Sequence, residues 1–252
     1  MNNKSWLANC QLNHLAKLRL FCFPYAGGGA AIFRSWQDFL PTQIEVCPVE
    51  LPGRGLRLME AAFTQLIPLV EAIAPALLPY LNKPFALFGH SMGALIAFEL
   101  ACKLCQAYNQ SPIHLFISGR AAPHIPERSP IYDLSDAEFL EGLRRLNGSP
   151  QEVLDNAEYM QLLIPTLRAD FTMADTYTYT PKPPLKCPIT AFAGLQDPEA
   201  SADNIKAWQQ YTSTSFSMHL FPGDHFFINT AKQLLFPTLS QELEQSLRSV
   251  KI

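Results

Sequence analysis

The 252-residue sequence predicts one large α/β domain built on a mostly parallel, doubly wound sheet. Short apolar runs, rich in β-branched and aromatic residues, alternate along the chain with segments of helical periodicity. Most of these runs lack a strict polar–apolar alternation, which indicates strands covered on both faces. Strand–helix alternation of this kind favours parallel strands joined by right-handed crossovers.

Six segments have the composition and length of strands: Leu18–Phe23, Ile44–Val49, Phe85–Phe88, His114–Ser118, Ile189–Ala193 and Phe216–Phe221. Four others have helical apolar spacing: Thr64–Leu81, Gly93–Ala107, Ala202–Tyr211 and Thr230–Val250.

A stretch without a convincing strand interrupts this alternation between Arg120 and Leu185. Its first helix, Ser135–Leu146, begins with the Ser-x-x-Glu pattern of a capping box, and helical periodicity resumes over Gln151–Asp175. Roughly sixty residues are too many for a simple crossover. We therefore predict a helical lid over about residues 120–185 of a single 1–252 domain; a helical decoration remote from the site is the alternative.

Composition narrows the functional class. Apolar residues make up 48% of the chain and charged residues 16%, a globular balance that argues against a disordered protein. A net charge of −3 gives no reason to expect nucleic acid or an anionic membrane as partner. The sequence contains no apolar run of membrane-spanning length and no leader pattern near Met1–Lys17, so we expect a cytoplasmic protein.

The six cysteines have no framework spacing, which is typical of reduced thiols. Cys102 and Cys105 form the one C-x-x-C pair, but it falls within a predicted helix and no second pair matches it. We interpret these as core thiols rather than as a zinc or redox site, and we expect no metal and no resident cofactor.

The strongest chemical signal is Gly89-His90-Ser91-Met92-Gly93, a G-x-S-x-G motif directly after a predicted strand and directly before a predicted helix. On such a sharp turn the Ser hydroxyl is exposed, and a Cβ atom at either glycine would clash with nearby backbone. The new helix also directs its N-terminal N–H groups at developing negative charge. The motif therefore predicts an α/β-hydrolase in which Ser91 is the nucleophile.

A serine nucleophile needs a histidine base and an orienting carboxylate, which in this fold follow it in the order Asp or Glu, then His. His225 lies in the loop after the last predicted strand, whereas His114 and His219 fall inside strands as core residues and His124 opens the insert. Asp197 follows the strand Ile189–Ala193. We predict His225 as the base and Asp197 as its partner.

Other carboxylates are weaker candidates for the triad. Glu199 is close enough to Asp197 to substitute for it. Asp224 adjoins His225, so its side chain should diverge from the imidazole and act as a turn or cap residue. Asp170 and Asp175 lie in the helical insert, where we expect a solvated or cap-facing position.

The oxyanion hole should combine the backbone N–H of Met92 with one from the loop after the first strand. That loop, Phe23–Gly29 (FPYAGGG), completes neither the P-loop nor the dinucleotide-binding pattern, so we do not interpret it as a phosphate cradle. Its glycines instead allow close approach of backbone to a ligand. We assign Ala26 rather than the adjacent Tyr25 as the second donor.

Five segments in order resemble the type II thioesterases that accompany nonribosomal peptide and polyketide synthetases and animal fatty-acid synthase. They are Phe23–Gly28 (FPYAGG), Leu51–Arg57 (LPGRGLR), Gly89–Gly93 (GHSMG), Pro165–Phe171 (PTLRADF) and Gly223–Phe227 (GDHFF). The resemblance implies hydrolysis of acyl thioesters held on the phosphopantetheine arm of a carrier protein, with no further cofactor. It also implies an enzyme that removes stalled or wrong acyl groups or releases short chains. A monomer is the default for this fold with a mobile lid.

The resemblance extends to the family's lid segment at Gly148–Val153 (GSPQEV). It implies a lid whose apolar inner face lines the site; packing within the lid's own core is the alternative for its candidate residues, Phe139, Leu143, Leu163 and Leu167. Carrier proteins are acidic, so docking would need a basic patch. The arginines available are Arg34, Arg54, Arg57, Arg144 and Arg145, and Arg54 and Arg57 could equally brace their own loop.

Two other functions use the same residues. A carboxylesterase or lipase acting on free small esters would carry the same triad, and preference for carrier-bound acyl groups would distinguish it. An inactive hydrolase fold that serves as a binding module is the non-enzymatic alternative. The presence of Ser, Asp and His in order argues against it.

Overall fold

Six parallel strands form one sheet in the computed structural model, which describes residues 6–8, 13–127, 129–146, 148 and 154–249. The strand order is β2-β1-β3-β4-β5-β6. The strands are β1 (Leu18–Phe23), β2 (Ile44–Pro48), β3 (Phe85–His90), β4 (His114–Ser118), β5 (Ile189–Gly194) and β6 (Phe216–Phe221). The predicted parallel sheet is confirmed, and each strand ends within two residues of its expected limit.

The α-helices assigned in the described ranges are α1 (Leu66–Leu77), α2 (Met92–Tyr108), α3 (Asp136–Leu146), α4 (Ala157–Asp175), α5 (Ala202–Lys206), α6 (Phe227–Thr230) and α7 (Lys232–Ser249). Two predicted helices are shorter than expected because they continue as 3₁₀ turns, Leu78–Tyr80 after α1 and Ala207–Tyr211 after α5. None of the helices that the structure describes is long and apolar enough to cross a membrane.

Helices cover both faces of the sheet. Phe21 of β1 packs in a cluster with residues of α1 and α2, whereas Leu20, its neighbour, packs on the other face with Leu239 of α7. Successive side chains of a strand point to opposite faces, so the side chains of β1 are covered on both faces, and all of them except Arg19 are apolar. This explains why β1 is buried at all six positions and lacks a polar–apolar alternation.

The insert between β4 and β5 contributes α3 and α4 and contains no strand in its described part. The capping box is confirmed: the Ser135 N–H donates to Glu138 Oε2 at 3.1 Å, and the Glu138 N–H donates to Ser135 Oγ at 3.4 Å. The insert has its own apolar cluster, which includes Ile131 and Met160. Of the Gly148–Val153 segment, only Gly148 lies within the described residues.

Candidate active site

Ser91 occupies the turn between β3 and α2 in a conformation that non-glycine residues rarely adopt, with φ at 55° and ψ at −118°. A Cβ added to Gly89 would collide with the Gly93 carbonyl oxygen, and one added to Gly93 would collide with that of Phe23. The Ser91 N–H is fixed by a 2.8 Å hydrogen bond to the Ser118 carbonyl of β4. The glycines are therefore required by backbone crowding, and the side chain of Ser91 projects from a strained turn.

His225 and Asp197 form a buried pair beside this turn. The loops after β5 and β6 meet because these strands are parallel neighbours in the sheet. His225 Nδ1 lies 2.9 Å from Asp197 Oδ2, and the two residues are 7% and 9% exposed. The other carboxylate oxygen of Asp197 accepts the Glu199 N–H at 2.9 Å. Asp197 is thus held from both sides and orients the imidazole.

This pairing defines what each imidazole nitrogen can do. With Nδ1–H donated to Asp197, the neutral ring presents Nε2 as a proton acceptor. Ser91 and His225 line the same cavity. No hydrogen bond joins the two side chains in the described structure; such catalytic contacts often tighten only when substrate binds.

Two donors flank Ser91. The Met92 N–H opens α2, and the Ala26 N–H belongs to the loop after β1; both residues line the cavity together with Ser91. Among the residues that the structure describes, neither N–H has a protein acceptor. Free N–H groups at a helix N-terminus and on a Gly-rich loop can stabilise a tetrahedral oxyanion.

The alternative carboxylates have other roles. Asp224 Oδ1 accepts the Phe226 N–H at 2.9 Å, which confirms the expected turn role. Glu199 lies in the cavity wall, where burial, reinforced by the charge of Glu127, raises its pKa. The His225 imidazole bonds to Asp197 and not to either of these residues.

The three other histidines considered as the base do not line the cavity of Ser91. His114 is a core residue as predicted, hydrogen-bonded to Ser246 and Thr190, and burial lowers its pKa to about 3. The core placement predicted for His219 is wrong: it is partly exposed on the edge strand β6, 3.3 Å from Glu242. His124 is exposed and bonds to the Tyr211 hydroxyl at 2.7 Å.

Sequence reasoning assigned no role to His90, the second residue of the motif. It is fully buried, with Nδ1 2.8 Å from Ser118 Oγ, and its ring centroid lies 5.1 Å from that of His225. Burial and then the nearby His225 lower the pKa of His90 well below its ordinary value. His90 is therefore a neutral neighbour of His225.

The cavity has a volume of about 190 Å³, and much of its wall comes from the insert. Ile125, Ile131, Leu146 and Phe171 supply apolar surface there. None of the four residues predicted for an apolar inner face lines the cavity, and all of them pack in the insert's own cluster: Phe139, Leu143, Leu163 and Leu167. The prediction of an inner face is therefore wrong for these four, and the alternative of packing within the insert describes them.

Carboxylates also line the cavity. Asp175, at the end of α4, accepts the Ile131 N–H at 3.0 Å, so the expected solvated or cap-facing position is wrong. Burial, reinforced by Glu127, raises the pKa of Asp175 to about 6. Arg120, 3.3 Å from Glu127, offsets part of this negative charge.

The raised pKa gives Asp175 a testable effect on stability. Its ordinary pKa is 3.8, so the folded state holds the proton more tightly than the unfolded chain. The stabilisation that the folded state gains from this tighter proton binding is fully present below pH 3.8 and is lost as pH rises through about 6. We expect Asp175→Asn, which keeps an oxygen for Ile131, to be more stable than wild type by about 1 kcal/mol at pH 7, after discounting for partial exposure.

Urea unfolding of both proteins at about pH 4 and about pH 7 measures this difference. The gain should be small at the lower pH and larger at the higher one. An equal offset at both values would mean that the charge of Asp175 has no part in it.

Arg54 and Asp170 form a buried ion pair close to the site, with Arg54 Nη2 2.7 Å from Asp170 Oδ1 and exposures of 8% and 1%. The solvated position expected for Asp170 is wrong. The docking role considered for Arg54 and Arg57 is wrong as well, since Arg57 is 7% exposed and bonded to Glu60 and the Glu50 carbonyl. The alternative, that both arginines brace their own loop, describes them: Arg54 donates to the Pro52 carbonyl, and Arg57 donates to the Glu50 carbonyl.

The C-x-x-C pair shows no sign of a shared function. Cys102 is buried, and burial raises the pKa of its thiol to about 12. The Cys105 thiol contacts the Ser111 hydroxyl at 3.3 Å. No cluster of three or more His, Cys, Asp or Glu side chains in the described structure is arranged to hold a metal.

Comparisons with known proteins place this chain in a family. Residues 18–246 match a family model described as "Thioesterase domain". One relative is gramicidin S biosynthesis protein GrsT of Aneurinibacillus migulanus, which is 47% identical over 94% of this chain and 93% of the relative. Another is a protein named linear gramicidin dehydrogenase LgrE of Brevibacillus parabrevis, which is 48% identical over 96% of this chain and 94% of the relative. A solved structure, the RedJ thioesterase of the prodiginine pathway of Streptomyces coelicolor, superposes with a TM-score of 0.85 (44% identical; 90% of this chain and 86% of that chain).

Proposed function

Because the chain belongs to the thioesterase family, we propose that it hydrolyses acyl thioesters with Ser91 as nucleophile, His225 as base and Asp197 as the residue that orients His225. One observation carries the assignment: the 2.9 Å pair of His225 and Asp197 lies at the cavity that the strained Ser91 turn also lines. Met92 and Ala26 supply the oxyanion donors.

The reaction follows from this arrangement. Ser91 Oγ attacks the thioester carbonyl carbon while its proton passes to His225 Nε2. The oxyanion is stabilised by the two N–H groups, and the C–S bond then breaks as His225 returns the proton to the leaving sulfur. Water attacks the acyl-serine with His225 again as base, which releases the carboxylic acid and regenerates Ser91.

The proposed substrate is an acyl group on the phosphopantetheine arm of a carrier protein of nonribosomal peptide or polyketide synthesis. The pathways named for GrsT and RedJ support this choice. The phosphopantetheine would arrive with the substrate, so the enzyme needs no resident cofactor. Of the arginines considered for docking, Arg34 and Arg145 are exposed.

We further propose one catalytic domain over residues 1–252 in which about residues 120–185 act as a lid. The insert residues in the cavity wall support this role. The protein would act as a cytoplasmic monomer and would not use nucleic acid or membrane as partner, in keeping with its small net charge.

The name of LgrE describes a dehydrogenase, which is a different reaction. The Gly-rich loop after β1 here does not complete the G-x-G-x-x-G pattern of dinucleotide-binding turns. The Ser–His–Asp geometry also serves acyl transfer rather than hydride transfer. We therefore propose hydrolysis, and the test below includes the alternative.

The test compares four reactions of the purified enzyme. An acetyl-phosphopantetheine carrier protein, acetyl-coenzyme A and p-nitrophenyl acetate are followed by release of thiol or phenol, and the loaded carrier is also incubated with NADPH. We expect hydrolysis of the carrier-bound thioester to be fastest and NADPH absorbance to stay constant. Preference for the free ester would indicate a general esterase, oxidation of NADPH would indicate a reductase, and inactivity on all substrates would indicate a binding module.

A further inference from the structure

The ion pair of Arg54 and Asp170 is attached directly to the loop after β1. Asp170 Oδ2 accepts both the Gly27 N–H and Arg54 Nη1 at 2.7 Å, and Asp170 Oδ1 accepts Arg54 Nη2 at 2.7 Å. Arg54 Nη1 also donates to the Gly28 carbonyl at 2.9 Å. The ion pair thus binds the N–H of Gly27 and the carbonyl of Gly28, the two residues that follow Ala26.

Three parts of the chain meet at this point. Arg54 belongs to the loop after β2, Asp170 belongs to α4 of the insert, and Gly27 lies in the loop after β1. Asp170 is 116 positions from Arg54 and 143 positions from Gly27 along the chain. The same helix adds a second contact, a 2.9 Å hydrogen bond from Thr166 Oγ1 to the Gly53 carbonyl.

The loop needs such an anchor. Gly27 has φ at 77°, a conformation that glycine adopts easily and also leaves easily. It is followed by two further glycines, so the local sequence does not hold the backbone in one conformation. A 2.9 Å hydrogen bond from the Gly28 N–H to the Tyr25 carbonyl closes a turn around Ala26 within the loop. The two charge-assisted hydrogen bonds from the ion pair anchor this turn to the loop after β2 and to α4.

Stability alone does not explain a buried ion pair at this place. Removing two charges from water is costly, and apolar residues of similar volume are often as stabilising or more so. What the pair supplies is geometry: a bidentate guanidinium–carboxylate contact fixes both side chains, and both also bond to the loop.

We infer that Asp170 and Arg54 are positioning residues that hold the Tyr25–Gly28 loop so that the Ala26 N–H meets the developing oxyanion. The inference rests on the proposed function, because it takes Ala26 as a donor. It also makes α4 a fixed support of the catalytic machinery, so any opening of the lid must occur elsewhere in the insert.

A misplaced donor weakens the transition state more than the bound substrate. We expect Asp170→Asn and Arg54→Lys to lower kcat roughly ten- to a hundredfold while KM changes less than about threefold. A trifluoromethyl ketone analogue of the acyl chain adds Ser91 Oγ to its carbonyl and forms a stable oxyanion. Its inhibition constant should rise by the same factor as kcat falls.

A matched control is Glu45→Gln, which removes a carboxylate from another buried pair. Glu45 Oε2 lies 2.9 Å from Arg19 Nε, and the two residues are 4% and 3% exposed. Arg19 is near the start of β1, at the end of the strand opposite the loop. We expect this variant to keep wild-type kcat and inhibitor affinity even if its thermal midpoint falls.

The double variant Asp170→Leu/Arg54→Met separates positioning from stability, since it leaves no unpaired buried charge. We expect it to fold with a thermal midpoint near wild type and still to show the reduced kcat and weakened inhibitor. A folded double variant with wild-type kcat, or equal loss of kcat in Glu45→Gln, overturns the inference. If Ser91→Ala retained activity, the proposed function itself would fail, whichever result the Asp170 and Arg54 variants gave.

Discussion

Replacing Ser91 by Ala is expected to lower kcat/KM on a carrier-bound acetyl thioester by about 10⁴-fold or more. The variant lacks the atom that forms the acyl-enzyme, and neither His225 nor the oxyanion donors can supply it. Alanine also has a smaller side chain at a backbone position with φ at 55°, so the turn itself should persist. Steady-state release of the phosphopantetheine thiol measures the activity of both proteins. Mass spectrometry of the acyl-enzyme trapped from wild type identifies the residue that carries the acyl group.

The control for this variant is Ser111→Ala. Ser111 is exposed and precedes β4, whose first residue pairs with the start of β3 at the end of the sheet opposite Ser91. Its side chain bonds only to the Cys105 thiol among described residues. We expect wild-type activity from it. An acyl adduct found on a residue other than Ser91, or near-normal turnover by Ser91→Ala, would remove the assignment of the nucleophile.

Replacing Asp197 by Asn should lower kcat roughly 10³- to 10⁴-fold with little change in fold. The amide of the substituted side chain can donate a hydrogen bond where the carboxylate only accepts. It would then pair with an unprotonated Nδ1 and leave the proton on His225 Nε2, the nitrogen that must accept the proton of Ser91. The 2.9 Å distance between Nδ1 and Oδ2 is what makes this inversion effective.

Two matched variants test the choice of carboxylate. Asp224→Asn alters the sequence neighbour of His225; the Asp224 carboxylate accepts the Phe226 N–H. Glu199→Gln alters a cavity residue close to Asp197. Thiol release by all three variants is compared under identical conditions. We expect losses below about tenfold for these two controls. A loss in Asp224→Asn as large as that in Asp197→Asn would mean that the orienting role had been assigned to the wrong residue.

Much of this site follows from short stretches of sequence. The motif at Gly89–Gly93 is local: a strand, a tight turn and a helix determine where Ser91 points. The order of Asp197 and His225 along the chain places them after neighbouring parallel strands, whose carboxyl ends meet at one edge. The alternation of apolar runs and helical segments then predicts the sheet itself, because covered strands must be apolar on both faces.

The errors concern residues whose environment depends on distant parts of the chain. Asp170 sits on a helix face that looked solvated, yet it is 1% exposed because Arg54 packs against it. Phe139 and Leu143 are apolar residues of the insert and therefore candidates for an inner face of the lid, but they pack in the insert's own cluster and do not line the cavity. His219 lies in an apolar run, and only the strand order shows that β6 is the edge strand.

The sequence by itself therefore determined the fold class, the turn that carries Ser91 and the chain order of Ser91, Asp197 and His225, because these depend on periodicity and on contacts between near neighbours. The tertiary structure alone decided which charges are buried, what the insert covers and how the loop after β1 is held. Those features join residues more than a hundred positions apart, as Arg54 and Asp170 are. No local pattern specifies such a pairing; it exists only once the sheet brings the loops after β1 and β2 against α4.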